Sequence, residues 1–152
     1  MIEIREKQHL LVEKLYCYRG KFKISDADSV LRQLETEIEI KGGKKKGNPI
    51  TVTYAEEGNM VDMEILIPVD RTIDTSGKYI YKEKIEIVNA VEVKYIGKAS
   101  KMQEAYAGLN NYINVNNLNP ITAGYNVTIK TGENMNDCIE VLIYAGINPN
   151  II

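Results

Sequence analysis

Glu140 stands in the run "CIEVLIYA", whose alternation puts Cys138, Glu140, Leu142 and Tyr144 on one side and Ile139, Val141, Ile143 and Ala145 on the other. A carboxylate among apolar and aromatic neighbours costs desolvation free energy unless it is paired. A cationic ligand could supply that partner, with ring faces adding attraction. On an exposed strand face the same glutamate would cost nothing. Glu64, in "VDMEILIPV", shares its side with Asp62, Leu66 and Pro68, and the second acid predicts an exposed carboxylate there. The chain has ten tyrosines against one phenylalanine and no tryptophan. A tyrosine ring with its polar tip suits a half-buried cleft, a protein interface or ordinary amphipathic packing. Tyr16, Tyr18, Tyr54, Tyr95, Tyr125 and Tyr144 join Glu140 as candidate ligand-binding residues.

Other chemistry finds little material. The single histidine, His9, is expected just ahead of a strand and has no metal-type spacing to any cysteine, so no metal and no cofactor are expected. Cys17 and Cys138 are isolated and predict two buried, reduced thiols. There is no nucleophile elbow and no phosphate loop. No catalytic residue is assigned, and Glu140 is nearly the only candidate acid or base. A formal net charge of -2 lacks the basic excess of nucleic-acid binders. No apolar run approaches the roughly 18 to 20 residues of a membrane span. The charged start "MIEIREKQHLL" is unlike a signal peptide, so the expected compartment is the cytoplasm, with no membrane partner. A chain of 152 residues, 44% hydrophobic and 26% charged, fits one globular domain.

The elements that must position these residues come in two sets. "NPITVTY" at Asn48 to Tyr54 returns as "NPITAGY" at Asn119 to Tyr125, "YRGKF" from Tyr18 as "YIGKA" from Tyr95, and "EILIPV" from Glu64 as "EVLIYA" from Glu140. The two glutamates lie further apart than the two NPIT motifs, which predicts a longer loop at "TGENMND" in the second copy. Helical spacing of Ala27, Val30, Leu31, Leu34 and Ile38 predicts an amphipathic helix capped by Ser25 with Asp28. Met102, Ala105, Tyr106, Leu109, Tyr112 and Ile113 repeat it behind Ser100 and Gln103. Alternating segments flank each helix, and "KGGKKKGNP" reads as a solvated basic loop. The result is an α+β fold of two pseudo-symmetric strand-helix-strand-strand repeats, about 9–70 and 85–147 with a connector at 71–84, forming a curved antiparallel sheet with helices on one face. A cleft between related halves is the natural place for a ligand.

"EILIPVDRTID", "YIYKEKIEIVNAVEVKYIGKASKMQEAYAGLNNYI", "LNPITAGYNV" and "CIEVLIYA" together resemble the GyrI-like effector-binding domain, also the ligand module of some AraC-type and MerR-type regulators. The resemblance runs from about Leu10 to Ile147. It implies an inter-repeat cleft for small amphipathic, often cationic molecules, with a buried glutamate on the last strand facing the ligand, and Glu140 matches that position. With no helix-turn-helix pattern ahead of it, the expectation is a stand-alone, non-enzymatic binding module, monomeric or homodimeric, that does not bind DNA. The chain also resembles small Firmicute GyrI-like proteins, some encoded near type VII secretion loci, which implies the alternative of an adaptor or chaperone for a secreted toxin. A third alternative is implied by GyrI-like hydrolases of cyclopropane-bearing compounds, which use acidic and aromatic pocket residues. Here no tryptophan is present, and "IPV" is replaced by "IYA" at Ile143 to Ala145.

Overall fold

The computed structural model describes residues 1–75 and 77–150. Six strands and two helices follow in the order β1 (Ile2–Lys23), α1 (Ala27–Ile40), β2 (Ile50–Glu57), β3 (Met60–Pro68), β4 (Tyr79–Lys98), α2 (Gln103–Val115), β5 (Pro120–Lys130) and β6 (Cys138–Ile147). The chain is α+β, with its strand ladders antiparallel and strand-helix-strand-strand occurring twice. Two compact units divide it: Leu11–Glu86 forms one, and Met1–Leu10 with the chain from Ile87 onward forms the other. β1 and β4 each contribute to both. The two strands are much longer than the segments "LVEKLYCY" and "AVEVKYI" that announce them. His9 therefore lies inside β1 rather than before a strand, and the expected connector already contains the start of β4 at Tyr79.

In the 11–86 unit β3 is central, paired with β1 and β2. α1 packs on one face, where Leu34 and Ile38 meet Tyr16, Ile65, Ile67, Val69 and Ile73. β2 and β3 join through a tight turn in which Gly58 takes φ 61°, the left-handed position a two-residue hairpin needs at its first residue. The other unit repeats the plan with β6 central between β4 and β5, and α2 lays Ala105, Leu109 and Ile113 on Val91, Val93, Tyr95, Val141, Ile143 and Ala145.

Neither helix starts as expected. A turn of 3-10 helix, Ile24–Asp26 or Ala99–Lys101, leads into each, and neither N-cap, Asp26 nor Met102, makes a side-chain capping bond. The reason is geometric: the chain is already curled at Ser25 and Ser100, so these serines lie within a turn and not at the extended position a capping hydroxyl requires. Helix stops are alike in both units. Gly42, at φ 81°, ends α1 with Gly43 N–H donating to the Ile38 carbonyl, and Asn117, at φ 53°, ends α2 with Leu118 N–H donating to that of Ile113.

The repeated NPIT motifs are not equivalent positions. Ile50 stands opposite Leu66 on β3, but the residue opposite the matching Leu142 on β6 is Val127 and not Ile121. Tyr125 accordingly faces Tyr144, whereas Tyr54 lies beside Glu64. The hairpin loop at 131–137 is longer than its counterpart, as expected, and is closed by the Asp137 carboxylate accepting from Glu133 and Asn134 N–H.

Candidate ligand-binding face

Residues opposite one another on paired antiparallel strands share a face. In the 11–86 unit the face away from α1 therefore carries Leu15, Cys17 and Arg19 of β1, Ile50 and Val52 of β2, and Glu64 and Leu66 of β3. Its centre is apolar and closed to solvent, since Leu15, Cys17, Ile50, Val52 and Leu66 are at most 1% exposed. Glu64 sits among them at 5%, the sole charged or polar residue of the described chain that is buried. Exposure was the expectation for Glu64, and it is overturned. Asp62 is turned into a two-pronged pair with the Arg19 guanidinium (3.2 and 3.0 Å), so it does not wet the middle of the face. Glu64 itself stands opposite Arg19 on β1 and Val52 on β2, with the buried Cys17 and Leu66 on the same face.

A buried carboxylate must be satisfied, and two groups do this. Tyr54 Oη donates to Oε1 at 2.8 Å, and Lys82 Nζ donates to Oε2 at 2.6 Å. Lys82 comes from "YIYKEK", the stretch expected to be a mere connector. Its side chain is 37% exposed while that of Glu64 is 7% exposed, so this ion pair has one end in the protein and one in water. Tyr54 also offers its ring: the Arg19 guanidinium carbon lies 3.9 Å from the ring centroid, a cation seated on an aromatic face. Asp62 is held below the usual carboxylate range by the Arg19 hydrogen bond. Beneath these groups, burial pushes the Cys17 thiol up to about 12, with the Lys82 charge opposing and the Glu64 charge adding. That thiol stays protonated and inert as a nucleophile at neutral pH.

Glu140 occupies the corresponding place on β6 but a different environment. It faces Ile96 and Lys130 across the ladders, its side chain is 29% exposed, and its cation is Lys94 at 3.6 Å. Tyr144 shares that face, buried opposite Glu92 of β4 and Tyr125 of β5, and burial followed by the Glu92 carboxylate raises its phenol well above the usual range. The remaining candidates lie on the helix side. Tyr16 is fully buried in the α1 core, with its hydroxyl 3.4 Å from the Asp74 carbonyl and its ring stacked on Tyr79 at 6.0 Å. Tyr18 meets Tyr79 at 5.9 Å, and the Lys78 ammonium lies 5.3 Å from its centroid. Tyr95 is 3% exposed in the α2 core and donates to the Lys98 carbonyl at 2.6 Å. Of the two thiols expected to be buried, Cys17 is, but Cys138 is exposed because it opens β6 at the end of the 131–137 loop. No group of side chains suited to a metal ion occurs among the described residues.

No family's sequence profile matches the chain, and no curated protein matches it by sequence. Solved structures do. The C-terminal domain of EcmrR superposes with a TM-score of 0.77 at 16% identity, covering 97% of each chain. In the EcmrR-DNA complex the chain spans 57% of EcmrR's length. SAV2435, solved bound to tetraphenylphosphonium, matches at 0.52 and 9% identity over 98% of this chain and 94% of that one. A protein from Listeria innocua described as a hydrolase matches at 0.58 and 12% identity, over 93% and 91%. At these identities what is common is architecture. The order of strands and helices, the doubled unit and these superpositions agree: the chain has the GyrI-like fold.

Proposed function

We propose that this chain is a non-enzymatic ligand-binding module of the cytoplasm that takes a small amphipathic cation, with Glu64 as the counter-ion. The observation that carries the reading is the buried Glu64 carboxylate, bonded to a tyrosine hydroxyl and to a lysine whose stem reaches in from solvent. Lys82 occupies the place a ligand's cation would take. Because that ammonium is partly exposed, it can withdraw to water at little cost, while Glu64 needs a positive partner in place. Tyr54, which bonds Glu64 and is itself exposed, offers an aromatic wall beside the carboxylate. SAV2435, which has the same fold, is seen with the lipophilic cation tetraphenylphosphonium, and this supports the chemistry. Glu140, with Tyr125 and Tyr144 on the corresponding face of the other unit, is the second candidate position.

The hydrolase alternative lacks an activated nucleophile at this face, since the thiol nearest Glu64 is held protonated. An adaptor role for a secreted protein rests on the sequence resemblance alone.

The test is a thermal-shift series with tetraphenylphosphonium, a neutral tetraphenyl analogue and tetraphenylborate, on the native chain, Glu64→Gln and Glu140→Gln. A ligand at 100 times its dissociation constant adds about 2.7 kcal/mol. Stabilisation by the cation alone, lost in Glu64→Gln and kept in Glu140→Gln, is the expected result. The reverse pattern moves the site to Glu140, and no shift in any of the three proteins ends the cation-binding reading.

A further inference from the structure

The Met1–Leu10 and Ile87 onward unit holds a cleft of about 660 Å³ that shares no residue with the Glu64 face. It is bounded by β1 at Glu6 and Lys7, by β4 from Val88 to Val91, by the α2–β5 connection and by the chain leaving β6. Its floor is aliphatic: Ala90, Val91 and Ile147 are buried, with Leu118 beside them. Five of its lining residues are asparagines: Asn89, Asn117, Asn119, Asn148 and Asn150. Some of their groups already hold the walls together. Asn89 Nδ2 donates to the Ile147 carbonyl at 3.1 Å, Asn148 Oδ1 accepts from Asn150 N–H at 3.0 Å, and Asn148 N–H donates to the Asn119 carbonyl at 2.8 Å. The carboxamides of Asn117, Asn119 and Asn150 make no hydrogen bond among the described residues.

This lining selects a chemistry. One acid and one base leave the walls without net charge, and Glu6 is already engaged by the Tyr112 hydroxyl at 2.7 Å, so an ion gains little here. No aromatic ring lines the cleft, so a sugar or a base has no face to stack on. Carboxamides present a donor and an acceptor side by side, which is the complement of a peptide unit, itself one N–H and one C=O. The volume falls within the usual range for small-ligand sites, roughly 300 to 1,000 Å³. We propose that this cleft binds a short uncharged peptide segment, its backbone held by the free carboxamides of Asn117 and Asn119 and its aliphatic side chains on Val91, Leu118 and Ile147.

The test follows backbone amide resonances of the full chain while an N-acetylated, C-amidated Ala-Val-Ala tripeptide is added, with glucose and tetraphenylphosphonium as parallel probes. Shifts centred on Asn89, Asn117 to Asn119 and Asn148 are expected with the tripeptide and not with glucose. Asn117→Gly is the informative variant: glycine fits the left-handed position that ends α2, so the fold is kept while a carboxamide is lost. Its tripeptide affinity should fall several-fold at unchanged melting temperature. Shifts that appear elsewhere, an equal response to glucose, or an Asn117→Gly chain that binds as the native one does would each overturn the proposal. Tetraphenylphosphonium reports on the Glu64 face, so the two proposals fail separately.

Discussion

Glu64, 5% exposed at the centre of its sheet face, holds its carboxylate 2.6 Å from the ammonium of Lys82, which comes from β4. Removing the two partners should have unequal effects. Lys82→Ala strands a buried negative charge and is expected to cost about 1 to 3 kcal/mol, below the full value of a buried pair because Lys82 is partly solvated. Glu64→Gln removes the buried charge itself and strands none, and should cost about 1 kcal/mol. Urea unfolding of the two variants and their double mutant checks this, with a coupling of at least 0.5 kcal/mol expected from the cycle.

Tyr54→Phe removes the second partner of Glu64 while keeping the ring under Arg19. A loss of about 1 kcal/mol is expected from the missing hydrogen bond. Tyr54→Leu should lose more, since the guanidinium contact goes with the ring. Equal melting temperatures for the two variants would show the cation contact to contribute nothing.

The thiols should differ sharply in reactivity. Cys138 is exposed and Cys17 is 1% exposed with its thiol held protonated, so an aromatic disulfide reagent at neutral pH should titrate one thiol in the native chain and two after unfolding. The same burial fixes a pH dependence. The ordinary thiol value of 9.0 is raised to about 12 on folding, so above about 9 the unfolded chain has released a proton that the folded chain retains. Stability is therefore full below pH 9 and falls as pH climbs toward 12, in the same direction that burial of Tyr144, Tyr106 and Tyr16 sets for their phenols. Cys17→Ser should flatten the alkaline limb of a melting-temperature profile. On the acid side the Asp62 and Asp70 carboxyls are depressed by Arg19 and Arg71, so their contribution is present above the ordinary value of 3.8 and fades as pH drops beneath it.

Two tyrosines cover glycines two residues further along their strands, and the cost of adding a methyl group should separate them. At Gly97 a Cβ would stand 2.7 Å from Tyr95 Oη and 2.9 Å from its Cζ, and Tyr95 is both buried and bonded to Lys98. Gly97→Ala should cost about 1 to 3 kcal/mol. At Gly20 the approach of an added Cβ to Tyr18 Oη is closer still, but that ring is half-buried and can swing outward, so Gly20→Ala should cost less. Chemical unfolding of both variants compares them directly.

Much of the architecture is written in local patterns. The helical spacing of Leu34 and Ile38 and of Ala105, Leu109 and Ile113 places both helices, and the alternation of "CIEVLIYA" places Val141, Ile143 and Ala145 under α2 with Glu140 on the far face. Such periodicities follow from 3.6 residues per turn and two per pleat, which a sequence carries without reference to anything distant. Ser25 and Ser100 do not cap the helices as their spacing predicts, because they lie in turns of 3-10 helix, whose geometry depends on how each strand delivers the chain.

What only the tertiary structure decided is which glutamate became the buried one. By local composition Glu140 had the apolar neighbours and Glu64 the acidic one, yet Glu64 is closed over and Glu140 is left 29% exposed beside Lys94. Strand register made the choice. It set Arg19 against Asp62 and Glu64, brought Val52 and Tyr54 alongside, and let Lys82 reach in from the stretch expected to be a connector. On β6 the different register of β5 put Lys130 opposite Glu140 and moved Tyr125 away to Tyr144, although the NPIT motifs match in sequence. A sequence determines the order of elements and the faces of each one. Burial of a charge depends on partners brought together from four separate strands, and it is settled only when those strands pair.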